Sequence, residues 1–277
     1  MSDVAVPEPA DRMADQRALT PVRFRGGGFS PSSSRASTWL AFIVPICIWQ
    51  AACSLGWVSP LFLPSPMAIT AALKAMIVSG ELWRHLSISL ARIGLGWLLG
   101  TATGVVVGLA MGLFTVARAA GLPMVSAIFP IPKIALLPLL ILWLGIGETS
   151  KVVTIALGVF FPTALAVYTG VGAVPGNLIR MAQSFEVPYF DIVRKVILPG
   201  ALPSILGGFR ISAAIALLLV VSAEMIGADS GIGAFVLQAG NLMQTDQLLA
   251  GVIVLSLLGL AIGKVVGLLE NRLLRWR

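Results

Sequence analysis

The charged residues inside apolar stretches are the side chains of this chain that could take part in chemistry. Lys133 follows a pair of prolines, Glu224 lies near the end of a long apolar run, and Arg92 and Arg210 lie in two further runs. Charged groups within a membrane span are costly and usually face the interior of a helix bundle. Lys133, Arg210 and Glu224 are therefore candidate residues of a solute path, with structural ion pairing as the alternative. We expect Arg92 and Arg210 to lie near span ends and to extend toward the membrane surface.

Motifs for nucleotide binding and catalysis are poorly matched. Segment 259–265 is the nearest approach to a phosphate-binding loop, but one residue is missing between its glycines, and Val265 replaces the Ser or Thr that binds magnesium. The single histidine, His85, cannot form a triad or a metal cluster with other histidines, and we interpret it as an interfacial residue. The sequence thus predicts a non-enzymatic chain without a metal site or a cofactor of its own.

The composition is that of a membrane protein. Hydrophobic residues make up 57% of the 277 residues and charged residues only 11%, which is too few charges to cover a water-facing surface. The apolar residues form blocks of the length that a helix needs to cross a bilayer. The blocks predict an all-α, polytopic membrane helix bundle with about six transmembrane helices, at 39–58, 89–113, 123–146, 152–172, 205–227 and 247–269.

The basic residues indicate how these spans are oriented. Cytoplasmic loops of membrane proteins carry an excess of Lys and Arg, which also explains the net charge of +7 without any nucleic-acid partner. Alternate connections hold most of the arginines: Arg23, Arg25 and Arg35, then Arg118, then Arg180 and Arg194, then Arg272, Arg275 and Arg277. The pattern predicts that both termini are cytoplasmic in a multi-pass membrane protein.

Two regions follow from the polarity of the chain. Residues 1–38 are polar and rich in Pro, Gly and Ser, which predicts a disordered cytoplasmic tail. Residues 39–277 form the transmembrane domain, surrounded by membrane lipid, with a cytoplasmic loop at 173–204. The stretch 66–88 lies on the outer side and is partly amphipathic, as an interfacial helix would be.

Glycines and prolines mark the spans that pack closely or bend. Glycines recur at every fourth residue from Gly96 to Gly112, and again at Gly259, Gly263 and Gly267. Positions four apart share a helix face, so each series allows a neighbouring backbone to approach. Such a contact serves either a rocking motion or tight packing alone. Prolines between 123 and 138 predict a broken third span, of the kind that lines transport paths.

The loop 173–204 predicts a helix, a break and a second short helix. Leu178, Met181, Ala182 and Phe185 recur at helical spacing and form an apolar face. Val187-Pro188 interrupts this helix. A second helix runs from Tyr189 to about Ile197, with Phe190, Val193 and Val196 on one face, and it ends before Leu198-Pro199. This arrangement suits docking into a groove of a partner protein, with a helix on the membrane surface as the alternative.

The loop resembles the EAA loop of bacterial ABC importer permeases, in which Glu-Ala-Ala is followed at fixed spacing by Gly and by Ile-x-Leu-Pro. Arg180-Met181-Ala182, Glu186 and Val196-Ile-Leu198-Pro199 have that spacing. Further segments are similar to the nitrate, sulfonate and taurine branch of the family: Leu63-Pro64-Ser65-Pro66, Ser89-Leu-Ala-Arg92, Pro130-Ile-Pro132, Leu142-Trp143-Leu-Gly145-Ile-Gly147-Glu148 and Val221-Ser-Ala-Glu224. The resemblance covers about residues 60 to 270.

The resemblance implies a type I ABC importer permease fold and a division of labour between subunits. A periplasmic binding protein would deliver a small anion such as a sulfonate, taurine or nitrate, and two copies of this chain would form the path. A cytoplasmic ABC ATPase dimer would bind ATP and Mg and contact the coupling residues Arg180, Met181, Ala182, Phe185, Glu186, Leu198 and Pro199. An ion-coupled secondary transporter is the alternative, and it predicts inverted repeats.

Three positions depart from the family pattern. Arg180 replaces its Glu, Met181 its first Ala, and Glu186 its Gly. A residue other than Gly disfavours a positive φ, so we expect Pro188 to provide the turn instead. We expect Phe185 to support the packing that presents Arg180 and Glu186 to the ATPase.

Overall fold

A computed structural model describes residues 35–275, and every regular element in this range is helical. The α-helices are α1 (Arg35–Ser54), α2 (Pro66–Val78), α3 (Glu81–Leu113), α4 (Thr115–Ile128), α5 (Leu137–Leu144), α6 (Glu148–Gly172), α7 (Gly176–Ser184), α8 (Tyr189–Ile192), α9 (Leu198–Gly227), α10 (Ile232–Asn241) and α11 (Thr245–Leu273). A 3-10 turn (Lys133–Leu136) precedes α5, and a π turn (Val193–Ile197) joins α8 to α9.

The chain divides into two compact units, residues 1–48 and 49–277. The predicted tail falls on residues 1–34, which lie outside the described part, and on the start of α1, which begins at Arg35 rather than Trp39. Apart from α1, the features described below belong to the second unit.

Within residues 35–275, four helical stretches are long and apolar enough to cross a membrane: α3, α6, α11 and the continuous stretch Tyr189–Gly227 that contains α8 and α9. The pair α4 and α5 makes a fifth if it is one span, bent by 87°. These stretches match five of the six predicted spans. The remaining one corresponds to α1, whose apolar part Trp39–Ser54 is shorter. The prediction of an all-helical membrane bundle is confirmed.

The prolines of the third predicted span have the expected effect. Helix α4 ends at Ile128, and Pro130 and Pro132 lie in the irregular segment before the 3-10 turn. Proline lacks the N–H that would continue the hydrogen-bond ladder, which accounts for the bend. Pro123 is accommodated inside α4, and Pro138 lies in the first turn of α5, where a missing N–H costs nothing.

The glycine series of α3 packs directly against α6. A Cβ added at Gly100 would lie 2.5 Å from the carbonyl oxygen of Ala156, and one at Gly108 would lie 2.6 Å from that of Ala164. Residue numbers rise together along this contact, so α3 and α6 are parallel. The segment between two parallel neighbours must return the chain to its starting end, which supports α4 and α5 as one bent span.

Helix α9 runs antiparallel to both α6 and α11. Gly208 contacts Ala166 while Gly158 contacts Leu219, and in α11 Gly259 contacts Leu217 while Gly267 lies beside Arg210. Along α11, an added Cβ at Gly259 would lie 2.9 Å from a side-chain carbon of Leu217, and one at Gly263 would meet nothing within 4 Å. In the described part of this chain, therefore, no neighbouring backbone approaches the glycines of α11 as α6 approaches those of α3.

These directions put two polar regions at opposite ends of the bundle. The starts of α3 and α6 and the end of α9 lie at one end, and the connection from α6 to α9 lies at the other. With 25 residues, α6 separates the two ends by about 38 Å.

Candidate functional site

The charged end of the bundle is built on the face of α3 that also carries the glycines. His85, Ser89 and Arg92 precede Gly96 at spacings of three and four residues, and residues at such spacings share one helix face. All three polar side chains are buried. The face that packs against α6 in the middle of the bundle thus becomes a polar face at the end.

Glu224, at the end of α9, is the most deeply buried carboxylate of this cluster, with 1% of its surface exposed. It accepts hydrogen bonds from the Ser89 hydroxyl at 2.8 Å, from Nη1 of Arg92 at 2.8 Å and from the N–H of Gly233 at 2.9 Å. The last donor belongs to the first turn of α10, where the helix dipole favours negative charge. The predicted pairing of Glu224 with a cation is therefore present.

Arg92 connects α3 to two other elements. Its Nε and Nη2 atoms donate to the two carboxylate oxygens of Glu148 at 2.6 Å each, and Nη1 also donates to the carbonyl oxygen of Ser230 at 2.6 Å. Only 3% of Arg92 is exposed, so the expectation that it extends to the membrane surface is wrong. Two carboxylates and a carbonyl oxygen hold the guanidinium inside the protein.

His85 and Ser89 tie the segment after α9 to α3. Nδ1 of His85 accepts the N–H of Gly231 at 3.0 Å, and the Ser89 hydroxyl accepts the N–H of Ile232 at 2.9 Å. The interpretation of His85 as an interfacial residue is wrong, because the start of α10 covers it. Phe235 packs on its ring at a centroid distance of 5.6 Å.

A cavity of about 440 Å³ opens beside Arg92, with Glu148 among its lining residues. Its walls come from α3, from the first turn of α6 and from the segment that follows α9. Lys151 lines it and is only 5% exposed. Its ammonium group donates to the carbonyl oxygen of Gly147 at 3.2 Å and lies 4.0 Å from a carboxylate oxygen of Glu148.

Lys133 lies at the bend between α4 and α5. Its ammonium group donates to the carbonyl oxygens of Ile128, Phe129 and Ile131 at 2.7 to 2.8 Å and lies 4.4 Å from the ring centroid of Phe161. The last carbonyls of a helix lack partners within the helix, so Lys133 caps α4 where the prolines end it. All three of its ammonium protons are used in this way.

Arg210 is the most exposed of the three candidate path residues. It forms an ion pair with Glu270 of α11, and the Arg210 side chain is largely open to the surroundings. This pair lies toward the end of the bundle that carries the loop, far along α9 from Glu224. The three candidates therefore occupy three separate places and do not form one site.

At the loop end, α7 terminates in a Schellman motif whose left-handed residue is Glu186, with φ 54°. The N–H of Glu186 donates to the carbonyl oxygen of Gln183 at 2.9 Å, and that of Val187 donates to Ala182 at 3.2 Å. Glycine is the usual residue at this position, which gives a physical reason for the Gly in the family pattern. The expectation that Pro188 provides the turn instead is wrong.

The apolar residues of the loop divide into a buried and an exposed set. Ala182, Ile192 and Ile197 are buried against α6 and α9. Phe185 and Phe190 are 76% and 72% exposed, and Met181, Tyr189 and Leu178 are exposed as well. Phe185 therefore does not support the internal packing of the loop, contrary to expectation. Arg180 and Glu186 are exposed beside it.

The second loop helix continues into α9 without the expected end before Leu198-Pro199. The π turn Val193–Ile197 adds a residue to the hydrogen-bonded ring, and Pro199 then falls in the first turn of α9, where its missing N–H is tolerated. Phe190 is exposed, whereas Val193 and Val196, which the sequence pattern placed on the same face, are half-buried.

Replacing Glu186 with glycine should strengthen the turn of the loop. A non-glycine residue in the left-handed region costs about 1 to 2 kcal/mol, and glycine removes that cost, offset in part by its greater freedom in the unfolded chain. Hydrogen exchange at the amide of Val187 should slow in Glu186→Gly and accelerate in Glu186→Val, in which a β-branched residue is forced into the same conformation. Equal exchange in the two variants would contradict a strained turn.

The sequence reasoning did not identify Ser89, Glu148 or Lys151 as members of a polar site. The spacing of His85, Ser89 and Arg92 on one face of α3 was a usable signal for the α3 side. The partners on α6 and α9 are 56 and 132 residues from Arg92 in the chain. The parallel packing of α3 with α6 and the antiparallel packing of α9 bring them together.

Comparisons with known proteins agree with this architecture. Residues 100–275 match the family model described as "Binding-protein-dependent transport system inner membrane component". A Bacillus subtilis protein named as an aliphatic sulfonates transport permease is 40% identical over 84% of this chain and 85% of its own length. The taurine transport system permease protein of Escherichia coli is 37% identical over 84% of this chain and 86% of its own length.

Solved structures show the same fold at lower identity. A chain of the MetNI methionine ABC transporter superposes with a TM-score of 0.62 at 22% identity, covering 69% of this chain and 95% of its own. A chain of an amino acid ABC transporter superposes with a TM-score of 0.60 at 20% identity, covering 72% of this chain and 98% of its own.

Proposed function

Since this chain belongs to the family of inner-membrane components of binding-protein-dependent transport systems, we propose that a small organic sulfonate, such as taurine or an alkanesulfonate, crosses the membrane through it. The chain is a non-catalytic, multi-pass permease subunit of an ABC importer, which works with an ATPase and a binding protein. The observation that carries the choice of solute is the identity of 40% and 37% to permeases named for aliphatic sulfonates and taurine. Nitrate, the other solute class implied by the resemblance, is not favoured by these relatives.

The proposed mechanism is alternating access by two copies of this chain. A pair of ATPase subunits, which bind ATP and Mg, would contact the loop 177–199 at the cytoplasmic face. The exposed side chains of Phe185, Phe190 and Met181 supply the apolar surface that such a contact needs, because buried aromatic residues contribute much of the binding free energy of protein interfaces. Arg180 and Glu186 then lie at the polar rim.

The continuous helix Tyr189–Gly227 supports a direct path from the loop to the opposite end of the bundle. A displacement of α8 by the ATPase would move α9 with it, and Glu224 at the far end of α9 is bonded to Ser89 and Arg92 of α3. The ATPase contact and the charged cluster would thus be linked through one helix.

The proposed orientation follows from the loop. If the loop faces the cytoplasm, the cluster around Arg92 faces the periplasm, where the binding protein delivers its solute. The C-terminal end of α11 lies at the loop end of the bundle and would be cytoplasmic as well, and the distribution of the arginines predicts the same side for the N-terminus. Lys133, Arg210 and Glu224 remain proposed path residues, but a solute that reaches Lys133 must displace one of the three carbonyl oxygens that hold its ammonium group.

The solute is tested by reconstitution. The permease, its ATPase and its binding protein are placed in proteoliposomes, and uptake of labelled taurine and of labelled ethanesulfonate is measured with and without ATP. We expect ATP-dependent uptake of at least one of them. An importer that accumulates neither, although its ATPase turns over, would contradict the proposed solute class. Uptake driven by an ion gradient without ATP would favour a secondary transporter.

The coupling contact is tested with Phe185→Ala and Phe190→Ala. Loss of an aromatic anchor at an interface costs about 2 kcal/mol or more, so the ATPase should dissociate at least tenfold more readily from each variant. The measurement is the amount of ATPase that co-purifies with the permease, together with ATP hydrolysis stimulated by the loaded binding protein.

Phe62→Ala is the matched control for these variants. Phe62 is 82% exposed and lies between α1 and α2, outside the loop. It should leave ATPase co-purification at the wild-type level. Retention of the ATPase by both loop variants would mean that the exposed aromatic residues of 177–199 are not the contact.

A further inference from the structure

We propose that the cavity beside Arg92 binds the sulfonate group of the solute, and that the solute enters by displacing the carboxylate of Glu148 from Arg92. The proposal deepens the proposed function and rests on it for the chemical class of the ligand. It assigns a binding site to the permease itself, at the end of the bundle opposite the coupling loop.

The cavity has the size and the charged groups that such a site requires. Its volume of about 440 Å³ is within the usual range of small-molecule sites. Two basic side chains line it, Arg92 at 3% exposure and Lys151 at 5%. Cations that are removed from water in this way interact strongly with an anion, because little solvent screens them.

The guanidinium of Arg92 presents one edge to the cavity and the other to the protein. Nη1 is held by Glu224 and by the carbonyl oxygen of Ser230, while Nε and Nη2 form a two-point contact with Glu148. That two-point contact is the one that arginine makes with any oxyanion of suitable geometry. Glu148 thus occupies the position that two oxygens of a sulfonate would take.

Glu148 is the member of this pair that can leave. Its side chain is 64% exposed although Arg92 is buried, so the carboxylate can rotate away from Arg92 and be solvated by water in place of the ion pair. Glu148 is the first residue of α6 and follows Gly147 directly. Gly145, two positions before Gly147, has a φ of 85°. Arg92 stays in place, because Glu224 and Ser230 continue to hold it.

Lys151 is the observation that points to an additional ligand. An ammonium group has three donor protons, and within the described residues the one hydrogen-bond partner of Lys151 is the carbonyl oxygen of Gly147. The 4.0 Å separation from Glu148 is too long for a hydrogen bond. A buried charge with so few partners is costly, and the third oxygen of a sulfonate bound to Arg92 would supply one.

The charges also balance when the solute replaces Glu148. Arg92 and Lys151 are two buried cations and Glu224 is one buried carboxylate, which leaves one positive charge for one sulfonate. The first N–H groups of α6 add partial positive charge at the same wall. Asp229 lines the cavity too, but its side chain is exposed, and it is suited to the ammonium group of taurine.

The test measures sulfonate binding to the permease–ATPase complex in lipid nanodiscs, without the binding protein. Taurine and ethanesulfonate are the probes, and isothermal titration gives their affinity. Glu148→Gln keeps an amide oxygen for Arg92 but removes the competing charge, so it should bind a probe at least tenfold more tightly than the wild type. Adding Lys151→Met should abolish that gain. Glu81→Gln, which removes an exposed carboxylate of α3 outside the cavity, should match the wild type.

The outcomes separate this site from the proposed function. An affinity in Glu148→Gln no higher than in the wild type, or a gain that survives Lys151→Met, would overturn the site. Sulfonate uptake by the reconstituted importer is measured in parallel and decides the proposed function. If the importer takes up a sulfonate but Glu148→Gln shows no gain in affinity, the proposed site is wrong and the proposed function stands. If Glu148→Gln gains affinity but no sulfonate is taken up, the proposed solute is wrong and the cavity is supported as a site for an oxyanion.

Discussion

Replacing Arg92 with leucine should leave little folded permease in the membrane. Glu224 is 1% exposed and would keep only Ser89 and the N–H of Gly233 as partners. Removing one member of a buried ion pair costs about 3 to 5 kcal/mol, because the other charge stays buried without compensation. That cost is a large part of the total stability of a typical domain, about 5 to 15 kcal/mol.

The companion variants give an order of stabilities that tests the cause. Glu224→Leu should be less harmful than Arg92→Leu, because Arg92 keeps its two hydrogen bonds to Glu148. The double variant Arg92→Leu with Glu224→Leu should be more stable than Arg92→Leu alone, since the carboxylate that Arg92→Leu leaves without its cation is removed as well. Thermal unfolding of the detergent-purified proteins, followed by the loss of the monodisperse species, ranks the four proteins.

Arg210→Leu is the control for removal of an arginine as such. Arg210 pairs with Glu270 at an exposed position, and exposed pairs contribute at most about 1 kcal/mol. Its midpoint of unfolding should therefore stay close to that of the wild type. A double variant no more stable than Arg92→Leu would show that the hydrogen bond to Ser230 or the shape of the cavity, rather than the unpaired charge of Glu224, determines the loss.

The sequence was sufficient for features that depend on the local pattern of the chain. Apolar blocks predicted the four long apolar stretches and the pair α4 and α5, and the prolines at 130 and 132 predicted the bend. Span ends were less well defined, because α3 begins at Glu81 and α6 at Glu148, where polar residues extend the helices beyond the apolar blocks. A charged residue in an extension of this kind is buried or exposed according to its neighbours in space, which the local pattern does not contain.

Phe185 and Glu186 show the same limit at the loop. Helical spacing correctly placed Phe185 on an apolar face, but periodicity does not distinguish a face that is covered by the same chain from one that is left exposed. The positive φ of Glu186 is imposed by the Schellman hydrogen bonds and by the packing of Val187 and Ala182 in one cluster. The intrinsic preference of a residue other than glycine is for a negative φ, and at Glu186 tertiary packing outweighs that preference.

Among substitutions that add a side chain to a glycine, those on the glycine face of α3 should cause the largest loss of stability. Gly108→Leu would place a side chain where an added Cβ already lies 2.6 Å from the carbonyl oxygen of Ala164. The backbone of α6 cannot move aside as a flexible side chain would, so α3 and α6 must separate. Overpacking costs about 1 to 3 kcal/mol and more in severe cases. Gly108→Ala should fall at the lower end of that range, and Gly108→Leu should prevent accumulation of the permease.

Gly94→Leu is the matched control, because it lies on the same helix and an added Cβ would meet nothing within 4 Å. It should accumulate and unfold like the wild type. A loss of stability in Gly94→Leu as large as in Gly108→Leu would show that a leucine anywhere on α3 is harmful.

Gly108→Ala also separates the two roles of the glycine face that the sequence left open, packing and motion. If the contact of α3 with α6 serves packing alone, thermal stability and uptake should fall together. If the two helices slide during transport, uptake should fall at temperatures where the folded fraction is unchanged, because the methyl group obstructs the motion before it unfolds the protein.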